Sequence, residues 1–98
     1  MLLRDVLYKV SIRSITGTTD AQIDDVQIDS RKAKPGVLFV AVKGTTADGH
    51  QFIDKAVENG ATVIVYETAP VQMNPGVVWV QVENSASAAG YIAHNFFG

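Results

Sequence analysis

The chain has 98 residues, close to the commonest size of a single domain. Its composition, 47% hydrophobic and 18% charged, is that of a packed globule and excludes a disordered chain. The formal net charge of −2 comes with no basic stripe for a nucleic-acid backbone, and the lack of any cysteine excludes disulfides, thiolate metal sites and thiol catalysis.

In chain order, Leu2, Leu3, Val6, Leu7 and Val10 recur at helical spacing and predict a short amphipathic helix over 2–9. Residues 14–20, rich in Ser, Thr and Gly, read as a turn or exposed connection. Val26-Gln27-Ile28 reads as a short strand ended by Asp29-Ser30-Arg31, and Lys34-Pro35-Gly36 has the Pro-Gly order of a type II turn. The unbroken apolar run 37–42 predicts a strand buried on both faces, left through the loop 44–49. Phe52, Ile53, Ala56 and Val57 predict a helix ending at Gly60, with Asp48 near its start as a cap. Strands follow at 62–66 and 77–82. A last helical stripe runs through Ala88, Ala89, Ile92, Ala93, Phe96 and Phe97, with Asn84 or Ser85 as its cap. Four strands interleaved with helices predict one α/β domain over residues 1–98, with a small mixed, partly parallel sheet flanked by helices. No apolar run approaches the roughly 20 residues of a membrane span, and a soluble cytoplasmic protein is expected.

Negative findings narrow the chemistry. The chain has no Gly-x-x-x-x-Gly-Lys-Ser/Thr loop and no Gly-x-Gly-x-x-Gly, hence no recognisable cradle for nucleotide phosphates. His50 and His94 have no ligand neighbours at metal spacing and read as surface or capping histidines. The adjacent Asp24 and Asp25 would point to opposite faces of a strand and read as solvated charges. With no nucleophile–base pair either, no catalytic residue is expected. One constellation stands out, because ligands of open α/β sheets gather beyond the carboxyl ends of strands. There Ser30 offers a hydroxyl, residues 44–49 offer bare backbone amides, and Arg31 can pair with a phosphate or with Asp29.

The segment Asp29-Ser30-Arg31, then Pro35-Gly36-Val37-Leu38-Phe39-Val40-Ala41, then Gly44, then Asp48-Gly49-His50-Gln51-Phe52-Ile53, resembles the N-terminal domain shared by the MurE and MurF types of peptidoglycan ligase, in the Mur ligase family. The resemblance extends from about residue 2 to the end and is most specific over 26–67. Serine at position 30 is closer to the MurE type, since threonine is usual in MurF.

The resemblance implies a function. Such ligases use ATP, through an acyl phosphate, to join diaminopimelate or lysine to UDP-N-acetylmuramoyl-L-alanyl-D-glutamate, and the N-terminal domain holds the UDP end of that substrate. By match to the motif, Ser30 would contact the diphosphate or its neighbourhood, and Ile28 would line the nucleotide site. Thr45, Thr46 and Ala47 would form the loop approaching the uridine. Asp29, Arg31, Pro35, Gly36 and Gly49 would brace the backbone, while Asp48 and His50 would fix the loop to the helix that follows. The family's ATP loop, carbamylated lysine and magnesium ligands are expected in central and C-terminal domains beyond residue 98, so this stretch would anchor substrate without catalysing. The alternatives are a MurF-type domain acting on the tripeptide and adding D-alanyl-D-alanine, or a non-enzymatic interaction module of the same fold.

Overall fold

A computed structural model describes residues 1–44 and 48–98. Helix α1 (Leu3–Val6) leads into strand β1 (Ile12–Thr16) and strand β2 (Asp25–Gln27), followed by a 3₁₀ turn at Ser30–Lys32. Strand β3 (Val37–Val40) is followed by a second 3₁₀ turn (Gly49–Phe52) running directly into helix α2 (Ile53–Glu58). Strands β4 (Val63–Tyr66) and β5 (Val78–Val82) then precede helix α3 (Ser85–Phe97).

The sheet has the order β1-β5-β4-β3-β2. Strands β2 to β5 are parallel to their neighbours, and β1 runs antiparallel to β5 on the edge. The expected mixed, partly parallel sheet flanked by helices is therefore present. All four parallel strands deliver their carboxyl ends, at Gln27, Val40, Tyr66 and Val82, to one edge.

The unbroken apolar runs are explained by a sheet covered on both sides, since every residue of β3 and β4 is buried. On one face Leu38, Val40, Val63, Val65, Val78, Val80 and Val82 pack with Leu3 and Val6 of α1 and Ala88 and Ile92 of α3. On the other, Phe39, Ile64, Tyr66 and Trp79 pack with Ile53 and Ala56 of α2 and with Ala33. Alternate residues along each strand thus feed opposite cores. Asn95 on α3 fastens the first of these layers, its Nδ2 donating to the carbonyls of Val6 at 2.8 Å and Tyr8 at 2.7 Å.

Two expectations are corrected. The helix expected over 2–9 spans only Leu3–Val6, because Lys9 takes a left-handed φ of 67° and turns the chain toward the sheet. The stretch expected as a connection, 14–20, opens instead with the end of a fifth strand. Residues Ile12–Thr16 are mostly exposed, as an edge strand allows, and an irregularity between Ile12 and Ser14 breaks the alternation that would have marked it. Other expectations held closely. Gly36 has φ 92° in the turn before β3 and Gly60 has φ 102° after α2. Asn84, not Ser85, caps α3, its side chain accepting the Ser87 N–H at 2.9 Å.

Candidate functional site

Beyond β2 the chain turns sharply. The Asp29 carboxylate accepts the Arg31 backbone N–H at 3.0 Å, which caps the short turn, and it also accepts Arg31 Nε at 3.0 Å and Nη2 at 2.9 Å. These bonds from the Arg31 guanidinium, followed by that from its backbone N–H, hold the Asp29 carboxyl down at about 2, against an ordinary 3.8. In this structure Arg31 is paired with Asp29, the arrangement that the bracing alternative expects.

Ser30 sits between them and is only 6% exposed. Its carbonyl accepts Asn59 Nδ2 at 3.0 Å, which links the turn to the residue after α2. Among the described residues its hydroxyl has no hydrogen-bond partner. Ser30, Asp29, Arg31, Ile28 and Phe52 line an open groove of about 520 Å³. Ile28, one residue past β2, is 66% exposed and forms an apolar wall. The structure thus brings Ile28 and Ser30 together, whereas Thr45, Thr46 and Ala47 lie outside the described residues.

A second constellation stands at the same sheet edge. The Asp48 carboxylate accepts the His50 backbone N–H at 2.9 Å, capping the turn Gly49–Phe52, and lies 2.7 Å from His50 Nδ1. The other ring nitrogen, Nε2, accepts the backbone N–H groups of Glu67 at 2.8 Å and Thr68 at 3.2 Å. Because Nε2 is an acceptor, the ring proton sits on Nδ1 and points at Asp48. The bond from the His50 backbone N–H, followed by that from its ring, lowers the pKa of Asp48 below its usual value. His50 therefore fastens the turn to the exit of β4, a different partner from the following helix that the sequence reading gave it.

Glu67 continues this network. Its Oε2 accepts both the hydroxyl and the backbone N–H of Ser85, each at 2.6 Å, while Ser85 Oγ accepts the Lys43 backbone N–H at 2.9 Å. The hydroxyl bond, followed by the backbone one, lowers the Glu67 pKa. The positive end of α3 is consequently occupied by the chain's own carboxylate. Sequence reasoning missed Glu67, Lys43 and Phe52 as site-forming residues. An exposed aromatic directly after Asp48-Gly49-His50-Gln51 was the signal available for Phe52, whereas nothing local marked Glu67.

A separate depression of about 480 Å³, lined by Asp54, Val57, Gln72, Met73, Asn74, Pro75 and Trp79, shares no residue with the Ser30 groove. Among the described residues no group of three His, Asp or Glu side chains is arranged to hold a metal ion. Likewise, no helix there is long and apolar enough to cross a membrane.

Comparison with known proteins decides the family. The family model described as "Mur ligase family, catalytic domain" matches residues 22–97. The chain belongs to the Mur ligase family.

Its relatives within the family are informative. The chain is 41% identical over 98 residues to a UDP-N-acetylmuramoyl-L-alanyl-D-glutamate--2,6-diaminopimelate ligase of Cytophaga hutchinsonii, covering 99% of the chain and 20% of that protein. It is 43% identical over 98 residues to the ligase of the same name from Bacteroides fragilis, covering 100% of the chain and 20% of that protein. The chain therefore spans about one fifth of the length of the curated relatives it matches. Solved MurF structures share its fold. One from Acinetobacter baumannii superposes with a TM-score of 0.64 at 29% identity, over 74% of this chain and 16% of that one. Another, from Thermotoga maritima in complex with ADP, gives 0.60 at 34% identity, over 74% of this chain and 16% of that one.

Proposed function

We propose that this Mur ligase chain is the N-terminal, UDP-anchoring domain of an ATP-dependent ligase that adds 2,6-diaminopimelate to UDP-N-acetylmuramoyl-L-alanyl-D-glutamate. The observation that carries this reading is the likeness to diaminopimelate ligases along essentially the whole chain. The geometry of the Ser30 groove supports it. A hydroxyl with no partner among the described residues, on a turn braced by Asp29, Arg31 and Asn59, is a preorganised donor for a diphosphate oxygen. Ile28 lines that nucleotide site, and by match to the family motif Thr45, Thr46 and Ala47 belong to the uridine loop.

ATP and magnesium belong to other parts of this reading. The 98 residues contain no phosphate-cradling glycine-lysine loop. Without that loop, no phosphoryl-transfer step is assigned to these residues. Phosphoryl transfer and capture of the amino acid fall to central and C-terminal domains of the longer protein. Anchoring still serves that chemistry, since binding energy from the unreactive UDP handle positions the distant glutamate carboxylate.

The MurF-type alternative draws on the likeness to MurF structures, which covers 74% of the chain at 29–34% identity. The diaminopimelate ligases match more of the chain at higher identity and are preferred on that ground. Amide-resolved NMR titration with UDP-N-acetylmuramoyl-L-alanyl-D-glutamate tests the reading. Saturable shifts centred on Ile28 and Ser30, with UDP and not ATP competing, are expected. Competition by ATP, or no shifts at millimolar ligand, would count against it.

A further inference from the structure

Phe52 is placed where the core has no use for it. The next residues of the same segment, Ile53 and Ala56, are 1% and 0% exposed and already supply the apolar contact of α2 with the sheet, yet Phe52 remains 45% exposed. It faces the groove that Ser30 occupies, with Ile28 as the other apolar side chain lining it. The turn that carries it is held before and after it: the Gly49 N–H donates to the Val42 carbonyl at 2.8 Å, the Gln51 N–H donates to the Asp48 carbonyl at 3.2 Å, and the Ile53 N–H donates to the His50 carbonyl. An exposed aromatic on so constrained a turn presents a flat apolar surface to the groove.

The chemistry of the groove is correspondingly divided. Two apolar side chains flank a hydroxyl, and the neighbouring guanidinium has two of its nitrogens turned onto Asp29, leaving Phe52 as the only ring among the lining residues. A ligand satisfying both parts has one planar face and one polar, hydrogen-bond-accepting end. A nucleoside diphosphate is such a ligand, because every base has a π-face on which a phenyl ring can stack whatever its edge pattern.

We infer that Phe52 is the stacking platform for the uracil ring of a UDP compound, with Ile28 closing on the ring from the other wall and Ser30 Oγ turned to the diphosphate. The inference rests on the UDP-anchoring reading and adds the residue that holds the base. It requires Phe52 to contribute to affinity through its ring, so an aliphatic side chain of similar size cannot replace it, whereas a larger aromatic can.

The test uses the 98-residue chain and UDP, comparing wild type, Phe52→Leu and Phe52→Trp by NMR titration, with amide spectra recording that each variant is folded. Phe52→Leu is expected to weaken UDP binding by roughly five- to a hundredfold, the range that base–aromatic stacking supplies, and Phe52→Trp to keep it. Intermolecular NOEs from uracil H5 and H6 to the Phe52 ring protons are expected in the wild type. UDP binding by Phe52→Leu equal to wild type overturns the stacking role and leaves the anchoring reading standing. Failure of the wild type itself to bind UDP at millimolar concentration overturns both.

Discussion

The Ser85 hydroxyl and the Ser85 backbone N–H converge on one atom, Oε2 of Glu67, each at 2.6 Å. Through this pair the exit of β4 is tied to the first residue of α3, and the Lys43 N–H on Ser85 Oγ draws in the exit of β3. Loops leaving separate strands are thereby fixed to one another beside the groove, a form of support that a binding site on loops requires.

Glu67→Gln removes the charge from this junction while keeping its shape. The folded carboxyl titrates below its ordinary 4.5, so its contribution is present above that pH and is lost as pH falls through the lower folded value. Urea unfolding at pH 7 is expected to show the variant less stable by about 1 kcal/mol. The gap between variant and wild type should narrow as the pH drops below about 4.5.

His50→Ala is expected to cost about 1–3 kcal/mol, because the Glu67 and Thr68 N–H groups lose their common acceptor. Imidazole nitrogen spectra of the wild type should show the proton on Nδ1. A proton found on Nε2 in the folded protein at neutral pH would contradict the geometry.

Asp29 should titrate far below an ordinary aspartate. Carboxyl carbon chemical shifts followed against pH are expected to give a midpoint of about 2, and Arg31→Gln should move it back toward 3.8. A midpoint unchanged by that substitution would mean that Arg31 does not hold Asp29 in solution.

Ser30→Ala separates binding from folding. Since the hydroxyl has no partner among the described residues, its removal orphans no group there, and thermal unfolding should stay close to that of the wild type. Affinity for a UDP compound should fall about tenfold or more, the loss expected for a hydrogen bond to a charged phosphate.

Gly49→Ala tests the close approach of the second turn to β3. An added Cβ would stand 2.7 Å from the Val42 nitrogen and 3.0 Å from its carbonyl oxygen, both backbone atoms that cannot move aside cheaply. A loss of about 1–3 kcal/mol is expected by chemical denaturation.

Much of this architecture was legible from residue patterns. The doubly buried strands announced themselves as unbroken runs of Val, Ile, Leu and Phe, and Gly36, Gly60 and Asn84 marked turns and a cap by their own chemistry. Strand β1 was hidden because an edge strand with polar residues on its exposed faces looks like a connection until its partner β5 is known. At the site, Asp29-Ser30-Arg31 was visible as a local motif. The Glu67–Ser85 junction was not, because its members lie 18 residues apart and meet only through the sheet. Phe52 was visible as a residue, but its exposure depends on which face α2 turns inward.

Strand β1, second element of the chain, finds its sheet partner late. Strand β1 pairs with β5, and α1 is fastened through Asn95 to a helix whose anchoring residue lies 87–89 positions later. During synthesis the edge of β1 must therefore wait unpaired until β5 has emerged. Such distant pairing raises the mean sequence separation of contacts and slows folding relative to a helical bundle of the same size. Ribosome-bound chains stopped before residue 78 should accordingly remain open to proteases, and protection should arrive in one late step once β5 and α3 are available.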